Sequence, residues 1–224
     1  MTTTQADQSD DRDILSRLRF AILSLELVPG EPVSERALEQ QFQVSRTPIR
    51  EALFHLMRDG LVIRDGRSYA IAPFDIAEIQ EAFDFRDIVE PEAMRMAAKL
   101  ATPNEIAAIR QSIDFSHDEF TPERWLEMGL DFHVRCAALS GNRCIVAAMQ
   151  DVTLRALRAR WLTFASPAAR RVTHGEHSEI LSLIDAGDGE GAARAALTHS
   201  ASVRTEALEA IENARRFVGK RGVV

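Results

Sequence analysis

The sequence predicts a mainly α-helical protein in two parts, a small three-helix unit closed by a β-hairpin and a larger all-helical bundle. Apolar residues recur at helical spacing through most of the 224 residues. Strand signals concentrate around Asp65-Gly66. From residue 75 onward, Ala-rich helical stretches follow one another without a further strand signal. These three observations set the fold class.

Composition and charge limit the class of protein further. Hydrophobic residues make up 46% and charged residues 27%, which is typical of a globular domain. Apolar runs are much shorter than the ~20 residues that cross a membrane, so no transmembrane helix is expected. Two cysteines do not make a disulfide framework, so we expect a protein of the reducing cytoplasm. The net charge of −7 means that any DNA-binding surface is a local patch. Residues 36–67 offer one, with six Arg against four acidic residues.

The first part predicts three helices in close succession. Residues 1–10 are polar and acidic and read as a disordered tail, and a first amphipathic helix follows over 11–26. Ser34 is expected to cap a short second helix, and Ser45 a third. Gly60 then ends the third helix.

A β-hairpin is predicted after the third helix. Two β-prone runs, 61–64 and 67–71, flank Asp65-Gly66, and this dipeptide between such runs is a strong hairpin signal. Three helices with a tight turn, followed by a hairpin, make a winged helix-turn-helix over residues 11–74.

Residues 75–216 predict a helical bundle, followed by a C-terminal tail over 217–224. Antiparallel helices of this length bury a core large enough for an internal ligand site. The predicted helices lie near 75–100, 103–118, 121–140, 142–165, 168–187 and 189–216.

The third helix carries the residues suited to DNA. Its apolar stripe faces the core, which leaves Arg46 and Arg50 outward on one face. Arginine pairs with guanine through two hydrogen bonds, whereas the hydroxyls of Ser45 and Thr47 suit phosphate oxygens. Exposed arginines also occur merely as solvated surface. Their position at the start of a helix within a helix-turn-helix favours DNA binding, with Arg36 beside them.

Residues 25–62 resemble the DNA-binding domain of GntR-type bacterial transcription regulators. The resemblance rests on Ser-Glu-Arg-x-Leu at 34–38 and on Val-Ser-Arg-Thr-Pro-x-Arg-Glu-Ala-Leu, which is unbroken at 44–53. Family members often carry a longer Arg-Gly-containing hairpin tip, whereas Asp65-Gly66 makes a short one. The resemblance implies double-stranded DNA as partner, contacted by Arg36, Ser45, Arg46, Thr47, Arg50, Gly66 and Arg67.

The helical part resembles the effector domain of the FadR-like branch, called FCD, over residues 76–216. Three segments carry the resemblance: Phe85-Arg86-Asp87-Ile88-Val89-Glu90-Pro91, Phe132-His133 followed by Gly141-Asn142, and the pair His177 and His199. It implies a domain that binds a small effector and forms a homodimer.

Three histidines are predicted to meet in the core of the bundle. His133, His177 and His199 each share a helix face with apolar residues. One inward histidine is usually a hydrogen-bonded core residue, whereas three together favour a divalent transition metal such as zinc or nickel. Metal-binding relatives place a carboxylate one turn before the first histidine, where this chain has Gly129. The alternatives are three histidines with water or an effector oxygen, His174 as a substitute ligand, or an empty site.

Arg86 lies on an apolar stripe of its helix, so it needs an anion. Two anions could pair with Arg86: the carboxylate of Glu90, one turn further on, or the carboxylate of an organic-acid effector.

The sequence thus predicts a transcription regulator and not an enzyme: a repressor that an organic acid releases from a palindromic operator. The alternatives are a metal-responsive regulator without an organic effector and, with less support, a metal-dependent hydrolase, since no general base or nucleophile motif accompanies the histidines.

Overall fold

The structure, a computed structural model, describes residues 4–118, 131–156, 162–163 and 167–219. Among these residues no helix is long and apolar enough to cross a membrane. The chain divides into two compact units. The first unit comprises the described residues up to Phe74 together with those from Asn213 to Gly219. The second unit runs from Asp75 to Glu212.

Helices and one small sheet make up the described residues, which confirms the mainly α fold class. In chain order the elements are α1 (Thr4–Leu23), β1 (Pro32–Val33), α2 (Glu35–Phe42), α3 (Arg46–Arg58), β2 (Val62–Asp65), β3 (Ser68–Ile71), α4 (Ile76–Leu100), α5 (Pro103–Asp118), α6 (Asp131–Ala138), α7 (Arg143–Arg155), α8 (Pro167–Asp185) and α9 (Gly189–Gly219).

The helix-turn-helix forms as its apolar pattern predicts. The Ser34 hydroxyl accepts a hydrogen bond from the backbone N–H of Ala37, so Ser34 caps α2. Gln43 ends α2 in the left-handed conformation, at φ 58°, which turns the chain sharply into α3. Ile49 and Leu53 of α3 are buried, and α3 packs against α1. Ser45 holds the capping position of α3, but its side chain makes no capping hydrogen bond, contrary to the prediction.

The hairpin closes through a two-residue turn. Asp65 pairs with Ser68 in an antiparallel ladder, which leaves Gly66-Arg67 as the turn, and Gly66 has a φ of +56° that favours glycine. A third strand, β1, pairs with the other side of β3. The sequence did not predict β1, because two residues are too few to show an alternating pattern.

Both predicted tails are partly helical. The sequence predicts a disordered tail over 1–10, whereas α1 of the structure begins at Thr4. Residues 4–10 contain neither Gly nor Pro, and extending an existing helix needs no new nucleation. Likewise α9 continues to Gly219, beyond the predicted end at 216.

The second unit is built around α4, which contacts α6, α7 and α8. Its core consists mainly of Ala, Ile and Leu side chains, together with Met94, Met149 and the aromatic ring of Phe132. Gly141 and Gly187, with φ of +67° and +74°, end α6 and α8. Of the helices predicted over 121–140 and 142–165, residues 121–130, 157–161 and 164–165 lie outside the described residues.

Candidate functional site

All residues predicted to contact DNA lie on the surface of the winged helix-turn-helix. Ser45 and Thr47 are exposed at the start of α3, and Arg36 is exposed on α2. The side chains of Arg46 and Arg50 are 67% and 65% exposed, so their guanidinium groups are accessible to a ligand. Gly66 and Arg67 form the exposed tip of the hairpin. This is the distribution that a DNA-contacting face requires.

One carboxylate joins the two arginines in the first half of α3, Arg46 and Arg50. Nε of Arg46 donates a hydrogen bond to Oε2 of Glu35 at 2.5 Å, and Nε of Arg50 lies 3.6 Å from Oε1 of the same residue. The hydrogen bond to Glu35 raises the pKa of Arg46. Both guanidinium groups are therefore held side by side. Sequence reasoning missed Glu35, because the contact crosses the turn between α2 and α3 and has no fixed spacing.

The hairpin contributes a second basic feature. The guanidinium of Arg64 lies 4.7 Å from the ring centroid of Tyr69, on the neighbouring strand. Such a cation–π contact orients the arginine along the sheet.

The structure brings the three predicted histidines of the helical unit together. His133, His177 and His199 are 0%, 7% and 2% exposed. One ring nitrogen of each lies within 4.8 Å of the others. Nε2 of His177 and Nε2 of His199 are only 3.4 Å apart. The histidines come from α6, α8 and α9, so the site depends on the packing of three helices.

A different neighbour orients each ring. Nδ1 of His133 lies 2.7 Å from Oε1 of Glu90, and Nδ1 of His199 lies 2.7 Å from Oε2 of Glu176. The ring of Phe132 stacks on His177, with centroids 3.7 Å apart and planes 9° from parallel. Burial lowers the pKa of His199, although the hydrogen bond to Glu176 acts in the opposite direction. Burial thus favours the neutral imidazole, the form that binds metals.

Arg86 completes the buried cluster. Its side chain is 3% exposed, and its Nε donates a hydrogen bond to Oε2 of Glu90 at 2.6 Å. The sequence offered two possible anionic partners for Arg86, and in the structure Arg86 pairs with Glu90. Nη2 of Arg86 also lies 3.2 and 3.3 Å from the two ring nitrogens of His133. A guanidinium and three imidazoles therefore share one buried site.

The proposed substitute ligand, His174, does not belong to the described cluster. Nε2 of His174 lies 2.8 Å from Oδ1 of Asp114, at a partly exposed position, and His174 is not one of the three clustered histidines. Gly129, where relatives have a carboxylate, lies outside the described residues.

The donor set fits a divalent transition metal. The nitrogen ligands of a tetrahedral zinc lie about 3.4 Å apart when each Zn–N bond is about 2.0–2.1 Å. Nε2 of His177 and Nε2 of His199 already have this separation. Imidazole nitrogens in a water-poor core suit zinc, nickel and related ions.

A winged helix-turn-helix with exposed arginines, joined in one chain to a helical unit with a buried polar site, defines a DNA-binding transcription regulator. Comparison with known proteins gives the family. Residues 11–69 match the bacterial regulatory proteins of the gntR family, and residues 81–202 match the FCD domain. The chain therefore belongs to the GntR family, with an FCD domain, and is a transcriptional regulator and not an enzyme.

Individual relatives agree with this assignment. The chain is 30% identical to the Nta operon transcriptional regulator of Aminobacter aminovorans, over 83% of this chain and 89% of that protein. It is 24% identical to the transcriptional repressor RspR of Escherichia coli K12, over 88% and 89%. A solved GntR regulator from Rhodococcus sp. RHA1, 22% identical, has the same fold, with a TM-score of 0.67 over 90% of this chain and 98% of that one.

Proposed function

We propose that this chain is a homodimeric repressor that binds a palindromic operator and is released by a small organic acid bound in the FCD domain. A dimer offers two recognition helices to two half-sites, which explains why such regulators use palindromic operators. The relative RspR is named a repressor, which supports this direction of control.

The DNA contacts divide into base-reading and positioning groups. Arg46 and Arg50 are the base readers, because their exposed guanidinium groups stand together at the start of α3. Ser45 and Thr47, with the backbone amides at this helix terminus, bind phosphate. Arg36 contacts the groove edge, and Gly66 and Arg67 place the hairpin tip against the DNA backbone.

One observation carries the effector proposal: the buried guanidinium of Arg86 lies against His133, one of the three clustered histidines. His133, His177 and His199 would hold a divalent transition metal, zinc or nickel, which supplies positive charge for a carboxylate oxygen. Arg86 would give up its contact with Nε2 of His133 when that nitrogen binds metal. Its Nη2 would then donate to the second oxygen of an effector carboxylate, an arrangement in which arginine binds strongly.

A second candidate function follows from the pairing of Arg86 with Glu90. Because Glu90 already neutralises Arg86, no organic anion is needed to satisfy this buried charge. In that case the metal alone is the signal, and metal binding changes the affinity for the operator without an organic ligand.

One experiment separates the two functions. Purified full-length protein is loaded with zinc and screened with small organic acids by thermal shift, and its DNA affinity is then titrated with each acid that stabilises it. We expect at least one carboxylate to weaken operator binding by roughly 5–150-fold, the usual range of allosteric coupling. Operator affinity that responds to chelation but to none of the acids supports the metal-responsive function instead.

A further inference from the structure

We propose that Glu90 and Glu176 are positioning residues, which hold the proton of His133 and of His199 on Nδ1 and so present Nε2 of both rings to a metal. This inference rests on the metal site proposed above, but the first step of its test requires no metal.

Glu176 and His199 give the simplest case. Nδ1 of His199 lies 2.7 Å from Oε2 of Glu176, on the preceding helix α8. An ionised carboxylate only accepts hydrogen bonds, so Nδ1 must carry the proton. Nε2 of His199 then holds the lone pair, and it is this atom that lies 3.4 Å from Nε2 of His177.

Glu90 and His133 repeat the arrangement on the other side of the cluster. Oε1 of Glu90 lies 2.7 Å from Nδ1 of His133, while Oε2 of Glu90 accepts the hydrogen bond from Nε of Arg86. Nη2 of Arg86 lies 3.2 Å from Nδ1 and 3.3 Å from Nε2 of His133, so this contact does not by itself distinguish the two ring nitrogens. The carboxylate of Glu90 at Nδ1 therefore selects the tautomer of His133, with the proton on Nδ1 and the lone pair on Nε2.

The geometry distinguishes positioning from direct metal binding. Both carboxylate oxygens of Glu90 already have partners, and Glu90 is 1% exposed, so it is fixed in place. Carboxylates that bond the far nitrogen of a metal-binding histidine fix the orientation and basicity of the ring. His177 uses a different device, since the stacked ring of Phe132 orients it. The glutamates therefore serve two of the three histidines.

The first measurement is the tautomer of each histidine in the metal-free, full-length protein, by two-bond ¹H–¹⁵N NMR. We expect His133 and His199 to carry their proton on Nδ1. Glu176→Ala is expected to change the tautomer of His199 and leave that of His133 unchanged. Glu190→Gln is the matched control, because Glu190 of α9 bonds Arg95 and no histidine. A proton on Nε2 of His199 in the wild type would overturn the inference.

The second measurement is zinc affinity, by competition with a chromophoric chelator. Glu176→Ala is expected to weaken zinc binding by about 10–100-fold, with Glu176→Gln between it and the wild type. Zinc affinity equal to wild type in both variants would contradict a positioning role. Glu176 is partly exposed, with 29% of its side chain accessible, so these variants are expected to fold.

The same titration on Glu90→Gln tests the buried glutamate. Zinc binding weakened as far as in His133→Ala would make Glu90 a ligand, which overturns its positioning role. If the wild type binds no zinc, the proposed metal fails, while the NMR result still decides whether the glutamates fix the tautomers.

Discussion

Glu35 of α2 and Arg46 of α3 are joined across the turn of the helix-turn-helix by a hydrogen bond of 2.5 Å. Arg50, one turn further along α3, lies 3.6 Å from the other oxygen of the same carboxylate. Since both arginines are about two-thirds exposed, the carboxylate is what restricts their orientations. A pre-oriented pair loses less side-chain entropy when it binds DNA.

The first prediction concerns these two arginines. Arg46→Ala and Arg50→Ala are each expected to weaken binding to the specific operator roughly ten- to hundredfold, with a smaller effect on non-specific DNA, because each would remove a proposed bidentate base contact. Arg36→Ala is expected to weaken binding as well. Fluorescence anisotropy at fixed salt measures the affinities. Arg58→Ala, which removes an exposed arginine from the last turn of α3, is the matched control. Unchanged affinity for the specific operator in both Arg46→Ala and Arg50→Ala would contradict the assignment of these residues as base readers.

The second prediction concerns Glu35. Glu35→Gln removes a negative charge that opposes phosphate and frees the two arginines from their common partner. We expect affinity for non-specific DNA to rise and the ratio of specific to non-specific affinity to fall. Glu39→Gln changes the same charge on the same helix, and Glu39 acts on Arg46 only through its charge. The same loss of specificity in both variants would assign the effect to net charge alone.

The sequence determines the helical faces but not the contacts across turns and between helices. Periodicity placed the apolar faces of α2 and α3 and the inward positions of His133, His177 and His199, because these depend on spacing within one helix. The pairing of Arg86 with Glu90 was also within reach, as residues four apart share a face. The contacts of Glu35 and Glu176 could not be predicted from spacing, since each contacts a residue on another helix. Their roles depend on packing that spacing does not encode.

The third prediction concerns metal. After exposure to zinc and removal of excess, wild-type protein is expected to retain zinc and His177→Ala to retain much less, because the variant lacks one of the three proposed imidazole ligands. Elemental analysis measures the content. His174→Ala is the matched control, since His174 lies one turn earlier on α8 and pairs with Asp114 outside the cluster. Equal, near-zero zinc in wild type and both variants would leave the histidines without a metal.

The fourth prediction concerns the start of α5 and sets a pH dependence. Oε2 of Glu105 accepts hydrogen bonds from the hydroxyl and the backbone N–H of Thr102, and these bonds lower the pKa of Glu105. A carboxyl whose pKa is lowered by folding stabilises the protein above its unfolded pKa of about 4.3, and this contribution is lost as the pH falls through the folded pKa. Glu105→Gln is therefore expected to lower the Tm at pH 7. Near pH 2, where the carboxylate of the wild type is protonated, the variant and the wild type are expected to have the same Tm. Circular dichroism melts at both pH values measure it; an equal loss at both would contradict the ionic origin.

The last prediction concerns Arg86 and the effector. Arg86→Ala would leave the buried carboxylate of Glu90 without its cation, a change that destabilises proteins by about 3–5 kcal/mol, so it is a poor test on its own. Arg86→Gln keeps a donor for Glu90 but loses the positive charge with which Nη2 would hold an effector carboxylate. We expect this variant to bind the operator as the wild type does and to lose the response to organic acids, while Arg86→Lys keeps part of it.

Thermal shift and operator titration, each with and without the organic acid, measure that response on zinc-loaded protein. Arg95→Gln is the matched control, because Arg95 also belongs to α4 but pairs with Glu190 at the surface. Full release of DNA by the acid in Arg86→Gln would show that Arg86 does not bind the effector. Stabilisation by uncharged ligands alone would exclude the carboxylate class. A response lost in Arg95→Gln as well would indicate that α4 as a whole, rather than the guanidinium of Arg86, carries the coupling.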